Sequence, residues 1–309
     1  MTSVTGTTPR LARTLCLGEA LVDLICEQPA RTLGEAQAFA PHFGGAVANV
    51  AVAAARAGAR VALAGGAGED EWGRWLRDRL QAERVELSLF DLLADRQTPL
   101  AVVLVDEEGE ARYQIYGETT EAAIVGLKAR LDTAIEDYAA LFISSNTLVG
   151  PREREVTMHA REIALARGKH VIFDPNLRLH RWSSRADAAA SANACVPGSL
   201  LVRANRSESE LMTGERDPEK AAVALLKAGA RLVVITLGSE GAILRGELRA
   251  DAPGVPARVR STIGAGDVLT GILLARLAAS GFYPAAAAAS LRDAVAESAR
   301  ACERWGALD

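Results

Sequence analysis

Short apolar runs alternate with amphipathic stretches along most of the chain. Runs at 15–24, 60–65, 141–145, 170–173, 199–202 and 232–236 have the length and branched-aliphatic content of buried strands. Between them, 44–56, 70–83, 151–167, 186–195, 207–213 and 218–228 read as helices. The 70–83 helix carries Trp72, Trp75, Leu76 and Leu80 at helical spacing, and Gly58 stands where the 44–56 helix should end. Two alanine-rich helices, 265–279 and 284–305, close the chain. This alternation predicts an α/β fold: a doubly wound, mostly parallel sheet flanked by helices, with ligands at the carboxyl ends of its strands. Residues 99–116 depart from it, with strand 100–105, a polar turn at 106–110 and strand 111–116. They predict an inserted antiparallel hairpin sheet. Residues 25–43 read as irregular or only weakly strand-like, and no linker or repeat divides the 1–309 span.

Hydrophobic residues make up 49% of the 309 positions and aromatics only 5%, so Ala, Leu and Val must fill the core. A net charge of −4 argues against nucleic-acid and anionic-membrane partners. Cys16, Cys26, Cys195 and Cys302 are scattered, as are the four histidines, so neither a zinc site nor a disulfide framework is expected. No apolar run approaches the ~18 residues of a membrane span. Residues 1–13 are polar and unlike a signal peptide. The expectation is a soluble, reduced, cytoplasmic protein.

Candidate chemistry centres on Ser261-Thr262-Ile263-Gly264-Ala265-Gly266-Asp267, which runs into the apolar 265–279 helix. Small residues at 264–266 let a ligand approach the backbone, and the free amides of a helix start favour an anion. Asp267 is then a carboxylate beside that anion, although Asp267 as a simple helix cap fits this segment equally well. Glu19 and Asp23 lie in the first apolar run, where a buried carboxylate needs partners. Taken alone, Asp23 also fits a solvent-facing strand end. Gly44 and Gly45 precede a second small-residue helix, and Asn49 would sit one turn in.

A P-loop is absent, and Gly66-Ala67-Gly68-Glu69-Asp70-Glu71 fails the dinucleotide fingerprint at its third glycine. Gly238-Ser239-Glu240-Gly241 has the wrong spacing for a serine nucleophile elbow. What remains is an ordered set. It comprises Gly18-Glu19-Ala20-Leu21-Val22-Asp23, Gly44-Gly45-Ala46-Val47-Ala48-Asn49, Asp174-Pro175-Asn176-Leu177-Arg178, Asn205-Arg206-Ser207-Glu208, Thr236-Leu237-Gly238-Ser239-Glu240-Gly241 and Gly264-Ala265-Gly266-Asp267. In this order the chain resembles, over essentially its whole length, ribokinase-like sugar kinases of the phosphofructokinase-B family, and within them fructokinases.

The resemblance implies an ATP-dependent sugar kinase that uses magnesium. It implies Asp267 as general base, with the amides of Gly264, Ala265 and Gly266 as the anion hole. Asp23, Gly44, Gly45 and Asn49 would bind sugar hydroxyls, with Arg178 as a further phosphate or sugar contact. Asn205 and Glu208 would organise magnesium and phosphate, and Thr236, Gly238 and Gly241 the nucleotide. Segments 24–43 and 98–118 would form a lid, through which two copies could pair as a homodimer. Ribokinases carry Lys where this chain has Ala46, so a neutral sugar is favoured, fructose first, over ribose, 2-keto-3-deoxygluconate or a nucleoside. A non-catalytic sugar sensor is the contrasting reading, but it would have no need of Asp267, Asn205 and Glu208. Two departures stand out. Ser261 replaces an Asp that helps hold a monovalent cation, so weak or absent potassium activation is expected, and Leu269 replaces a Phe.

Overall fold

The computed structural model describes residues 12–117 and 119–308. The polar opening at 1–11, residue 118 at the end of the expected lid, and residue 309 lie outside the described residues. The chain begins with strands β1 (Arg13–Leu17), β2 (Leu21–Pro29) and β3 (Ala40–Gly44), then helix α1 (Ala46–Arg56). Next come β4 (Arg60–Gly68), α2 (Glu71–Ala82), β5 (Glu86–Leu93), β6 (Leu100–Val105) and β7 (Ala111–Tyr116). Helices α3 (Thr119–Gly126) and α4 (Lys128–Ala134) lead to β8 (Ala140–Ser144), α5 (Pro151–Ala166), β9 (His170–Asp174) and α6 (Arg185–Asn193). The rest is β10 (Leu201–Asn205), α7 (Arg206–Thr213), α8 (Pro218–Lys227), β11 (Leu232–Thr236), β12 (Gly241–Gly246), β13 (Ala250–Pro253), α9 (Ala265–Ala279) and α10 (Pro284–Ala301).

Nine strands form the central sheet in the order β13-β12-β11-β10-β9-β8-β1-β4-β5. Its pairs are parallel from β11 to β5, whereas β12 and β13 pair antiparallel at one edge. Side chains alternate between faces, so Cys16, Leu63 and Ile172 join the core under α1, α9 and α10. Leu15, Leu17, Phe173 and Val202 join the core under α3 to α8. Burial on both faces is why these strands read as unbroken apolar runs. Among the described residues, no helix is long and apolar enough to cross a membrane.

A second sheet of four strands has the order β3-β2-β6-β7. It corrects two expectations. Residues 15–24 are not one strand: β1 belongs to the central sheet and β2 to the small one. The break between them is held from outside, as Gly18 N donates to Ala64 O at 2.9 Å and Ala48 N donates to Glu19 O at 3.2 Å. Nor is the inserted sheet wholly antiparallel. β6 and β7 form the expected hairpin, but β2 pairs parallel with β6, and β3 overlaps the end of the stretch read as irregular or only weakly strand-like.

Helices α1 and α9 approach closely because their contact is made of small residues. A Cβ on Gly271 would stand 2.5 Å from Ala53 Cβ and 2.9 Å from Ala54 N. Any larger side chain there would push the helices apart, and with them Asn49 and Asp267.

Candidate active site

The candidate residues collect along the carboxyl edge of the central sheet, where a doubly wound fold leaves its binding crevice. In sheet order, Thr236 ends β11, Asn205 ends β10 and Asp174 ends β9, with Asn176 and Arg178 just beyond. Asn146 follows β8, and Glu19 follows β1. The first turn of α9 comes down onto this row, and the small sheet covers its β1 end. A cleft between them is lined by, among others, Glu19, Asp23, Asn49, Asn176, Arg178 and Asp267.

Asp267 is 5% exposed and is held on both oxygens. Asn49 Nδ2 donates to Oδ2 at 3.0 Å, and Asn176 Nδ2 donates to Oδ1 at 3.0 Å. Burial pushes its pKa up to about 7; Asn49 pulls the other way, and Asp174 adds to the rise. The structure therefore separates Asp267 from the capping alternative: Gly264 is the N-cap of α9, with φ 69°, and no side chain caps that end. The first-turn amides at 265–267 have no carbonyl one turn behind them within the helix. Ala265 N has only a long contact of 3.4 Å with Thr262 O.

Beneath that turn lies a buried ion pair. Arg203 Nη1 stands 3.3 Å from Asp174 Oδ2, and Arg203 Nη2 donates to Thr236 Oγ1 at 2.8 Å. Thr270 Oγ1 donates to Asp174 Oδ2 at 2.7 Å. The guanidinium lies so close to Gly266 that a Cβ there would be 2.5 Å from Nη1. Burial acts to lower the Arg203 pKa, but Asp174, Glu208 and Asp267 outweigh it, so the cation is retained below the helix start.

The small-sheet side is less tied down. Asp23 on β2 is 4% exposed, and burial pushes its pKa up to about 8, against the nearby Arg178. The Arg178 guanidinium sits over the Tyr113 ring at 5.2 Å, and among the described residues it forms no hydrogen bond or ion pair. Gly44 ends β3 against Leu21 and Asp23, and Gly45 is the N-cap of α1. Asn205 and Glu208 form a reciprocal capping box on α7. Glu208 N donates to Asn205 Oδ1 at 2.8 Å, and Asn205 N donates to Glu208 Oε2 at 2.8 Å. Glu208 Oε1 accepts from Leu177 N at 2.9 Å. Gly238 lies in the turn after β11, and Gly241 opens β12.

The sequence profile of the pfkB family carbohydrate kinases matches residues 11–308. The chain belongs to this family. This carbohydrate kinase is similar to fructokinase-1 of Oryza sativa subsp. japonica, at 32% identity over 263 residues, covering 84% of this chain and 81% of the relative. It also resembles a solved fructokinase double mutant from Vibrio cholerae O395, bound to fructose, ADP and potassium ion. That match has a TM-score of 0.84 at 28% identity and covers 98% of this chain and 96% of the other. Aminoimidazole riboside kinase from Salmonella enterica, complexed with aminoimidazole riboside and an ATP analogue, superposes with a TM-score of 0.79 at 25% identity. It covers 96% of this chain and 95% of its own.

The carbohydrate kinase site also contains residues that sequence reasoning left unassigned. Arg203 carried a signal, being a charge inside the apolar β10 strand, where only a partner makes burial tolerable. Asn176 lies in the Asp174-Pro175-Asn176-Leu177-Arg178 segment and holds Asp267 from a backbone position with φ 39°. Tyr113, Asn146 and Arg181 line the same cleft, and nothing local marks them.

Proposed function

We propose that this carbohydrate kinase transfers the γ-phosphoryl group of ATP to the primary 6-hydroxyl of fructose. The observation that carries the reading is Asp267, held by two asparagines at the mouth of a helix start, with a pKa raised to about 7. A carboxylate poised near the working pH accepts the hydroxyl proton as the oxygen attacks phosphorus. The bond from the γ-phosphorus to the β,γ-bridging oxygen breaks, and ADP leaves. The first-turn amides at 265–267, of which Ala265 N makes only a long contact, are backed by Arg203 and face the charge that moves with the phosphoryl group. Asp23, Asn49 and Arg178 bind the sugar, and Ala46 adds no charge to the cleft, which favours a neutral acceptor.

Thr236, Gly238 and Gly241 mark the nucleotide end. Among the described residues, no group of three or more His, Cys, Asp or Glu is placed to hold a metal ion. That suits magnesium, which keeps several waters and enters on the phosphates. Each Glu208 oxygen already accepts one backbone amide, so Asn205 and Glu208 would hold magnesium through its waters. Bound there, the ion neutralises phosphate charge.

The small sheet is the lid, excluding water from the transfer. Its outer strands β3 and β7 leave pairing edges, which we assign to a homodimer. Light scattering that gives the 32.6 kDa mass of one chain at micromolar concentration would overturn that assignment.

The decisive experiment mixes purified protein, ATP and magnesium with fructose, ribose, 2-keto-3-deoxygluconate and aminoimidazole riboside. ADP release should be fastest with fructose. A higher kcat/KM for another acceptor would overturn the fructose assignment and leave the kinase intact.

A further inference from the structure

Among the described residues, three buried polar atoms on cleft-lining residues lack any hydrogen-bond partner: Asn49 Oδ1, Asn176 Oδ1 and Glu19 Oε2. The asparagines belong to the Asp267 cage. Glu19 does not, and a buried carboxylate oxygen without a donor is costly unless a ligand supplies one. Glu19 is 4% exposed, and its other oxygen is fully used. Ala46 N, at the open start of α1, donates to Oε1 at 2.8 Å, and Asn146 Nδ2 donates to the same atom at 3.0 Å. Glu19 thus caps a helix whose own N-cap, Gly45, has no side chain to do so.

Asn146 is oriented in turn. Arg181 Nη1 lies 3.4 Å from both its backbone O and its Oδ1, which turns the Nδ2 toward Glu19. Arg181 thus donates to Asn146 and Asn146 donates to Glu19, a cleft-lining residue whose second oxygen, Oε2, is left as an unpartnered acceptor. Its place in the sheet sets it apart from the transfer site. Glu19 follows β1 and Asn176 follows β9, with β8 between them. Two strand spacings are about 10 Å.

We propose that Glu19, Asn146 and Arg181 form the specificity-determining end of the sugar cleft. Oε2 of Glu19 accepts a hydrogen bond from a substrate hydroxyl distant from the one phosphorylated. Arg181 and Asn146 are positioning residues that hold the carboxylate in its acceptor orientation. The inference rests on the sugar-kinase reading above and adds where discrimination between neutral sugars arises. A sugar lacking that hydroxyl leaves the buried oxygen unpaired and is rejected.

The test is Glu19→Gln. Glutamine keeps Oε1 for Ala46 and Asn146 but replaces the free acceptor with a donor. The fructose KM should rise about 10–100-fold, the scale of a hydrogen bond to a charged group, with ATP KM and melting temperature unchanged. With monodeoxy fructose analogues, one analogue should be penalised in the wild type and no longer penalised in E19Q. Should E19Q melt early through a weakened cap, Arg181→Met leaves Ala46 capped and should still raise fructose KM without moving ATP KM. Unchanged fructose KM in E19Q, or in R181M where E19Q does not fold, overturns the cluster while wild-type turnover upholds the kinase. A wild type that phosphorylates no neutral sugar overturns both.

Discussion

The two walls of the cleft are built on opposite principles. On the core side Asp267 is braced by Asn49 and Asn176, and Asp174 by Arg203 and Thr270. Facing the small sheet, the Asp23 and Arg178 side chains form no hydrogen bond among the described residues, and Arg178, reaching over from beyond β9, only rests on Tyr113. The first wall costs no reorganisation when charge moves, which is what transition-state stabilisation requires. The second keeps its hydrogen-bonding capacity for a ligand. On the function proposed above, the fixed sheet edge carries the transfer chemistry, and the added sheet shares recognition with Glu19 at the end of β1.

The largest expected effect comes from removing Asp267, the base proposed above. Asp267→Asn should lower kcat by about 10²–10⁴ while ATP binding survives, measured by turnover and by nucleotide titration. In the wild type, kcat/KM should climb with pH through about 7 as Asp267 ionises. A flat profile together with near-normal turnover in the variant would remove Asp267 from the mechanism.

Breaking the brace should show in stability. Arg203→Met strands Asp174, which is nearly fully buried, and should cost about 3–5 kcal/mol in denaturant unfolding. A loss below about 1 kcal/mol, the scale of an exposed pair, would mean that this wall is not braced by charge.

The recognition wall should respond differently. Asp23→Ala should raise the sugar KM about 10–100-fold, the scale of leaving a buried hydroxyl unpaired, and leave ATP KM alone. Equal shifts in both constants would erase the division of labour. Asp23 also has a pH signature without ligand. Its folded pKa, about 8, lies above the unfolded value of about 3.9. The native state therefore binds the proton more tightly. Its contribution is fully present below the unfolded value and is lost as pH rises through about 8. Melting temperature should fall less steeply between pH 5 and pH 9 in D23A than in the wild type.

The smallest effect is expected at Ser261, which lies on neither wall. Its Oγ accepts from Ile263 N at 3.0 Å, and it brings no anionic ligand. Rates in potassium and tetramethylammonium salts should match, and a large potassium-specific increase would show that other groups complete a cation site.

Much of the fold was legible because its signals are local. Helix α9 begins and ends where the apolar repeat does, and the strands of the β6–β7 hairpin flank a polar turn. Parallel strands buried on both faces announce themselves as apolar runs. The edge strands β12 and β13 and helices α3 and α4 gave no comparable pattern. Likewise, the order of the motifs pointed to the family, and Asp267, Asp23 and Asn49 were nameable from it.

Tertiary structure decided what depends on partners far away in the chain. Asp267 meets Asn49 across 218 positions and Asn176 across 91, and no local periodicity encodes either meeting. The apolar run at 15–24 could not show that it breaks at Gly18, because the bonds that turn it come from Ala64 and Ala48. Asn205 and Glu208 read as ligands, and only the coordinates show their oxygens accepting the amides of α7 and Leu177. By itself the sequence determined the family and the candidate residues in its motifs, because glycines and carboxylates set among apolar runs demand a reason. Which charges share a site was settled only by packing, because that choice depends on where the chain lets helices and strand ends converge.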